Sequence, residues 1–181
     1  GHDFRPDYLR LPQVAQRLGR PPVMACTATA TPQVTAEIAE RMGMNSPVEV
    51  HSGFDRPNLS FDTIPLEGKG SKARKQALLE AGLSDPGNRP AIVYCGTRKS
   101  TDELAEDLRS AGISTVGYHA GMAPDERASA QHRFMEGDVD VVVATNAFGM
   151  GIDKANVRSV WHWAIPSSVE AYYQEAGRAG R

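Results

Sequence analysis

The sequence has few cysteines, little excess charge and no long apolar run. Its 2 cysteines, Cys26 and Cys95, each lie in an apolar stretch. This indicates small buried thiols in a reducing compartment and argues against a disulfide framework or a cysteine-based metal site. The net charge of −2 excludes a generally basic nucleic-acid coat protein, so any contact with nucleic acid requires a local patch. No run reaches the length of a transmembrane helix, so we expect no membrane partner.

Two motifs of ATP-hydrolysing P-loop enzymes are also missing. No GxxxxGK[ST] occurs, since Lys69 lies in EGKGS without the upstream glycine. The acidic pairs at 102–103 and 125–126 lack the histidine of a DExH motif. A P-loop ATPase needs both the lysine and the Mg²⁺-holding acid. The 181 residues alone are therefore predicted not to hydrolyse ATP.

What the sequence does contain is an alternation of strand and helix patterns. Four apolar runs predict buried strands, namely PVMAC (22–26), AIVYC (91–95), VDVVVAT (139–145) and SVWHWAI (159–165). Helical patterns occupy TPQVTAEIAERMG, TRKSTDELAEDLRSAG, APDERASAQHRFMEG and SSVEAYYQEAGRAGR. The first of these begins with Thr31 as the N-cap and Pro32 at the first helical position, and it ends on Gly43. The alternation predicts an α/β fold with a largely parallel sheet.

The alternation is interrupted by a segment rich in proline, glycine and serine that follows Gly43. It carries only two short strand patterns, PVEVH and LSFDTI. We interpret this segment as a linker. Residues 1–50 are then the end of one domain, 51–65 connect the domains, and 66–181 form most of a second domain.

The predicted strands are followed by small, hydroxyl and glycine residues. These segments are TATAT (27–31), GTRKS (96–100) and NAFGMGIDK (146–154), with YHAGMAP (118–124) before the third helix. Backbone N–H groups and helix N-termini of this kind bind phosphates, although tight turns after strands need the same residues. The chain also carries QEAGRAGR, in which Arg178 and Arg181 would share one face of a helix. Two such guanidiniums suit a polyanion such as a triphosphate.

These segments resemble a known family. TATAT, IVYCGTRKS, YHAGM, VVATNAFGMGIDK and YYQEAGRAGR resemble motifs III, IV, IVa, V and VI of superfamily 2 helicases, in matching order and spacing. Within that superfamily they resemble the RecQ family of ATP-dependent DNA helicases. The opening GHDFRPDY is similar to the RecQ aromatic-rich loop, and FDRPN (54–58) to the junction between the two helicase lobes. The resemblance implies a RecA-like second lobe preceded by the tail of a first RecA-like lobe.

The resemblance also implies an activity, cofactors and partners. The activity is ATP-driven 3′-to-5′ translocation on single strands that unwinds duplex DNA during repair and recombination. ATP and Mg²⁺ would be bound mainly by a lobe upstream of Gly1, and zinc by a region downstream of Arg181, so we expect the chain to be an internal fragment. Expected partners are single-stranded and duplex DNA, with single-strand-binding and repair proteins. The expected location is cytoplasmic, at the bacterial nucleoid.

The resemblance assigns nucleotide-related roles to residues of motifs V and VI. Arg178 and Arg181 would face the γ-phosphate of ATP, with Arg181 as the arginine finger. Gln174 would couple the nucleotide to the lobe interface, and Gly151 would lie beside the nucleotide. Asp153 would accept a hydrogen bond from the ribose or pair with an interface arginine, and the alternative is a plain turn aspartate.

Other positions are assigned to DNA and to coupling. The implied DNA-binding residues are Thr97, Arg98, Lys99, His119, Thr145, Phe4 and Arg5, and the implied coupling residues are Thr27, Thr29 and His2. Arg98 and Lys99 would otherwise be a solvated helix end. His119 would either contact the DNA backbone or hold its own loop.

Two other functions are compatible with parts of the pattern. One is a non-catalytic nucleic-acid-binding module that has kept the second lobe. The other is an unrelated small α/β protein that binds a phosphorylated metabolite, which would require all five motif matches to be accidental. An ATP-binding loop encoded upstream of Gly1 would distinguish the helicase from the non-catalytic module.

Overall fold

The computed structural model describes residues 6–27, 31–50, 56–149 and 152–180. The chain divides into two compact units, Gly1–Phe54 and Asp55–Arg181. The described helices of both units are too short or too polar to cross a membrane.

The first unit is helical in its described residues. It contains a 3₁₀-turn and two helices, Pro6–Arg10, α1 at Leu11–Arg17 and α2 at Pro32–Met42. The Thr31 side chain caps α2 by accepting a hydrogen bond from the Val34 N–H at 3.3 Å. Gly43 ends α2 with a φ of 61°, a left-handed value that glycine adopts without strain. Both predicted ends of this helix are confirmed.

The strands predicted for the first unit do not form. Residues 22–26 have no pairing partner among the described residues, and Val23 and Met24 are 40% and 87% exposed. Residues 47–50, the described part of PVEVH, are also irregular, because an isolated strand leaves its backbone hydrogen-bonding groups unpaired. Cys26 lies in the first of these segments and is exposed, so the prediction of a buried thiol is wrong at this position.

The second unit is built on a four-stranded parallel sheet. Its strands are β1 at Ala91–Tyr94, β2 at Thr115–Tyr118, β3 at Val141–Ala144 and β4 at Ser159–His162. The strand order is β2-β3-β1-β4, and every neighbouring pair is parallel. Ala91 in β1 is aligned with Val141 in β3 on one side and with Ser159 in β4 on the other. The predicted parallel α/β class is confirmed.

Helices cover both faces of this sheet. They are α3 at Ser71–Ser84, α4 at Arg98–Ser110, α5 at Pro124–Glu136 and α6 at Val169–Ala176, followed by a 3₁₀-turn at Gly177–Gly180. Side chains of β1 alternate between two buried clusters, since Val93 packs with α3 and α4 while Ile92 packs with Phe134 of α5. The core therefore has three layers, with the sheet between two layers of helices.

The structure of the second unit differs from the sequence-based expectation in three places. The strand β2 was not predicted, because its short sequence TVGY contains a glycine and has only intermediate burial at its end. The segment LSFDTI (59–64) was predicted as a strand and is irregular. The helical pattern of motif VI ends at Ala176, so Arg178 lies in the 3₁₀-turn and not on the α-helix that the spacing predicted.

Candidate functional site

Several sequence-predicted residues meet at the carboxyl edge of the sheet. Because the strands are parallel, Thr97, His119 and Thr145 follow β1, β2 and β3 at the same edge. The residue that follows β3 is joined to the end of β2, since the Thr145 N–H donates to the Tyr118 carbonyl at 3.2 Å. The edge is therefore a single surface to which three predicted motifs contribute.

The N-terminus of α4 is held by Thr97. Its hydroxyl accepts a hydrogen bond from the Ser100 N–H at 3.1 Å, and the Ser100 hydroxyl completes a capping box. The first N–H groups of any helix lack intrahelical partners and attract anions. The Thr97 side chain therefore shapes the helix start, and the phosphate-binding potential lies in the backbone N–H groups and the cations beside it.

The two cations of this helix start differ in their surroundings. The Arg98 side chain lies against Gly121, where an added Cβ would be 2.9 Å from Arg98 Cδ. This close approach brings motif IV and the loop after β2 together. Lys99 is 85% exposed in its side chain and forms a loose ion pair with Glu103 at 3.7 Å. Both cations are accessible to a phosphate backbone.

His119 is held inside its own loop. It is 8% exposed, and its Nδ1 accepts a hydrogen bond from the Gly121 N–H at 3.1 Å. That bond leaves Nε2 to donate to Asp102 Oδ1 at 3.0 Å. Both ring nitrogens are thus used within the protein, and this geometry favours the loop-holding alternative over a DNA contact. Asp102 was not predicted as part of the site.

On the other side of β1 lies a polar cluster that we name the arginine corner, formed by Tyr94, Phe148, Gly149, Ile152 and Arg178. The Tyr94 hydroxyl donates to the Phe148 carbonyl at 2.9 Å. The guanidinium of Arg178 reaches the Ile152 carbonyl at 3.5 Å. Burial raises the pKa of Tyr94 to about 12, and the positive charge of Arg178 opposes part of that shift.

Gly149 makes room for this guanidinium. A Cβ at Gly149 would lie 3.0 Å from Arg178 Nη2, closer than normal packing allows. The Arg178 Nε is buried and has no partner among the residues described. Motif VI and the loop after β3 are therefore joined through one half-buried arginine whose hydrogen-bonding capacity is not exhausted within this part of the chain.

A second buried pair supports the arginine corner from β4. His162 Nε2 donates to Glu175 Oε2 at 2.9 Å, and both side chains are 14% exposed. The His162 ring stacks on Tyr94 with 5.8 Å between ring centroids. Sequence reasoning missed these three residues. The available signals were a tyrosine in the apolar run AIVYC and a histidine between two tryptophans.

The remaining predicted residues are spread more widely. Gln174 on α6 and Asp153, next to Ile152, are exposed, and each has an interaction partner within the protein. Thr27 is exposed in the first unit. The predicted site residues that lie outside the described residues are His2, Phe4, Arg5, Thr29, Gly151 and Arg181.

Comparison with known proteins identifies a matching family and several proteins of similar sequence. A family model described as the helicase conserved C-terminal domain matches residues 73–181. The chain is 44% identical over its whole length to ATP-dependent DNA helicase Q5 of Rattus norvegicus and 41% identical to ATP-dependent DNA helicase RecQ of Bacillus subtilis (strain 168). It spans 19% of the first protein and 30% of the second.

A solved structure supports the fold. A DEAD box protein from Methanococcus jannaschii matches 84% of this chain and 40% of that one, with a TM-score of 0.63 and 21% identity. At that identity the likeness concerns the fold alone, and it agrees with a RecA-like α/β lobe in which strands alternate with helices.

Proposed function

This chain belongs to the helicase conserved C-terminal domain family and is similar over its full length to RecQ-type helicases, and on that premise we propose that it works in an ATP-dependent 3′-to-5′ DNA helicase. In this proposal residues 1–50 end a first RecA-like lobe, 51–65 connect the lobes, and 66–181 form most of the second lobe. ATP hydrolysis between the lobes drives translocation on a single strand and thereby unwinds duplex DNA.

The arginine corner is the observation that carries this proposal. Motif VI delivers Arg178 to the loop after β3 in a half-buried setting, beside the backbone of Gly149 and within 3.5 Å of the Ile152 carbonyl. A cation fixed in this way can stabilise charge that develops on a phosphoryl group without reorganising during the reaction. We assign Arg178 and Arg181 to the γ-phosphate, and Gly151, Asp153 and Gln174 to the surrounding nucleotide contacts.

The surface at the carboxyl edge is proposed to grip DNA. Arg98 and Lys99, together with the start of α4 and Thr145, can contact successive backbone phosphates without reading sequence. Phe4 and Arg5 are proposed to sense a base and a phosphate, and the signal would reach the nucleotide through the coupling residues His2, Thr27 and Thr29. Closing and reopening of the lobes would then alternate the grip of motif III with that of motifs IV and V.

Some of the chemistry is proposed to lie outside these 181 residues. The sequence has no P-loop lysine, and the described residues contain no group of three His, Cys, Asp or Glu side chains that could hold a metal. We therefore assign Mg²⁺ and most ATP contacts to a first lobe, and zinc to a separate region. Proposed partners are DNA and single-strand-binding or repair proteins, with the bacterial nucleoid as the place of action.

The decisive test of this proposal is Arg181→Ala in the full-length protein that contains these residues. ATP turnover at saturating DNA should fall by about 10³-fold or more, because an arginine finger acts on charge in the transition state. ATP binding should stay nearly unchanged, and Arg181→Lys should not restore turnover, since one ammonium cannot reproduce the planar fork.

The matched control is Arg133→Ala, an exposed arginine at the far end of α5, which should keep normal turnover. Near-normal turnover in Arg181→Ala would refute the assignment of the arginine finger. Full-length protein that binds DNA but never hydrolyses ATP would instead support the non-catalytic module.

A further inference from the structure

Within the second unit, two side chains from the start of that unit converge on one backbone carbonyl in motif VI. The Arg56 guanidinium donates a hydrogen bond through Nη2 to the Gly180 carbonyl. Asn58 Nδ2 donates to the same oxygen at 2.9 Å. These hydrogen bonds bring together residues more than a hundred positions apart in the sequence, and they use both lone pairs of the carbonyl.

Gly180 is shaped to receive this segment. A Cβ at Gly180 would lie 2.8 Å from Leu59 Cδ2 and 3.0 Å from Arg56 Nη2, so any larger residue would displace the segment. The backbone of Gly180 does not have a positive φ, so the requirement for glycine comes from packing. Gly177, three residues earlier, has no atom within 4 Å of its virtual Cβ. The close approach is therefore specific to the second glycine of GRAGR.

The packing continues along α6. The Leu59 N–H donates to the Arg56 carbonyl at 2.9 Å, which folds the segment into a turn. Phe61 then packs against Tyr172 and Tyr173, with ring centroids 5.7 and 5.9 Å apart. Residues 56–61 thus lie along motif VI from its helix to its 3₁₀-turn.

We propose that Arg56, Asn58 and Leu59, which we name the linker clasp, are positioning residues for the arginine finger. The inference rests on the proposed function. The carbonyl of Gly180 belongs to the peptide group that joins Gly180 to Arg181, so two donors on that oxygen fix the plane and direction of the peptide. Because the 3₁₀-turn Gly177–Gly180 ends on this carbonyl, the same restraint acts on the motif VI backbone that carries Arg178. The linker clasp holds this backbone and does not itself contact the phosphate.

The first test is Arg56→Ala combined with Asn58→Ala in the full-length protein. The kcat of DNA-stimulated ATP hydrolysis should fall about tenfold to hundredfold, the cost typical of a small misplacement of a catalytic group. The KM for ATP, the affinity for DNA and the melting temperature should remain close to wild type. Arg56→Lys should retain part of the kcat, because an ammonium still donates to the carbonyl. Arg133→Ala serves as the charge-matched control.

The second test is reciprocal and does not depend on removing a hydrogen bond. Gly180→Ala should lower kcat because the new methyl group overlaps Leu59. Leu59→Ala should lower kcat somewhat on its own, because it removes part of the linker clasp, but it should restore part of the kcat in the Gly180→Ala background, as expected for two residues that touch directly. Simple addition of the two losses would overturn the proposal.

The outcomes separate this inference from the proposed function. If Arg181→Ala abolishes turnover while the Arg56 and Asn58 variants keep a normal kcat, the linker clasp is wrong and the arginine finger stands. If kcat, KM and melting temperature all deteriorate together, the segment is merely structural and the positioning role is overturned. If Arg181→Ala itself keeps turnover, the proposed function fails first.

Discussion

Arg178 and Lys99 are both assigned to polyanions, but the protein surrounds them in opposite ways. Arg178 is half buried against Gly149 and reaches the Ile152 carbonyl at 3.5 Å, whereas the Lys99 side chain is 85% exposed with Glu103 as a loose partner. A group that stabilises a transition state must be in place before the reaction occurs. A group that follows a repeating phosphate backbone gains from freedom to adjust. How firmly each cation is held is therefore the difference that we propose between a catalytic role for Arg178 and a DNA-gripping role for Lys99.

The largest effect that this comparison predicts is for Arg178→Ala in the full-length protein. Turnover should fall about 10²- to 10³-fold, the range seen when one preorganised donor is removed from an active site. Affinity for ATP should fall more than in Arg181→Ala if Arg178 contacts the γ-phosphate before hydrolysis. DNA affinity should change little, because the proposed DNA-binding residues lie on other loops.

The measurements are steady-state ATPase and a nucleotide titration, with the melting temperature as a check on folding. Normal turnover in Arg178→Ala would show that the arginine corner has only a structural role. The proposed difference in function between Arg178 and Lys99 would then be wrong.

The burial of the arginine corner can also be tested through the pH dependence of protein stability, because Tyr94 belongs to that cluster. Burial raises its pKa from the ordinary value of 10.0 to about 12, so the folded state keeps the phenol proton at a pH where the unfolded chain has released it. Stability from this group is complete below about pH 10 and disappears as the pH rises toward 12, amounting to about 2 to 3 kcal/mol.

The measurement is denaturant unfolding of the 181-residue chain between pH 9 and 12, compared with Tyr94→Phe. The phenylalanine variant should be less stable at neutral pH by about 1 to 3 kcal/mol, because the Phe148 carbonyl no longer has its donor. Its stability should also fall less steeply with rising pH. The Cys95 thiol, whose pKa burial raises to about 11, titrates in both proteins and cancels in the comparison. Parallel pH curves would show that Tyr94 is not sequestered.

The next largest loss of ATP turnover is expected for Gly149→Ala in the full-length protein. The added methyl group would overlap the guanidinium of Arg178 and shift it, with a loss in turnover of about tenfold. Gly177→Ala is the matched control, because nothing lies within 4 Å of its virtual Cβ. Equal activity of the two variants in the ATPase assay would mean that Arg178 has room to move.

The fold was predictable wherever an apolar run finds partners within the chain. AIVYC became β1 because β3 and β4 pair with it on both sides, and its residues are almost fully buried. PVMAC has a similar composition, yet no described residue pairs with it and Met24 is 87% exposed. Composition therefore indicates a strand's potential, while pairing depends on segments distant in the sequence. The cap at Thr31 was predicted because capping is local, and the same local rule applies to Thr97, whose predicted role from the sequence was DNA binding alone.

The candidate site was predictable as a set of loops but not as a set of side-chain pairs. A parallel sheet brings the loops after β1 and β3 to one edge, as the predicted alternation of elements implied, whereas β2 and the strand order were not predicted. The pairs His119–Asp102 and His162–Glu175 join residues 17 and 13 positions apart, and no spacing rule indicated them. The hydrogen bonds of Arg56 and Asn58 to Gly180 span the whole second unit and depend on the tertiary fold.

The smallest predicted effect lies at the start of α4. Replacing Arg98 or Lys99 by alanine in the 181-residue chain should weaken binding of a fluorescein-labelled single-stranded oligonucleotide only a few-fold at moderate salt. The slope of log K against log salt should become less negative by about 0.7 for each phosphate that the protein no longer neutralises. Arg109→Ala is the matched control, because this arginine lies in the last turn of the same helix and pairs with Glu106 at 2.6 Å.

Arg98 should show the clearer change of the two, since its packing against Gly121 orients it at the carboxyl edge, while Lys99 is 85% exposed and pairs only loosely with Glu103. Fluorescence anisotropy across several salt concentrations separates removal of a specific phosphate ligand from a general decrease in positive charge, because Arg109→Ala removes the same charge from the opposite end of the helix. If all three variants shift the slope equally, net charge governs binding and α4 has no DNA-facing end. If neither Arg98 nor Lys99 changes the slope, both belong to a solvated face, and the DNA grip must lie elsewhere on the carboxyl edge.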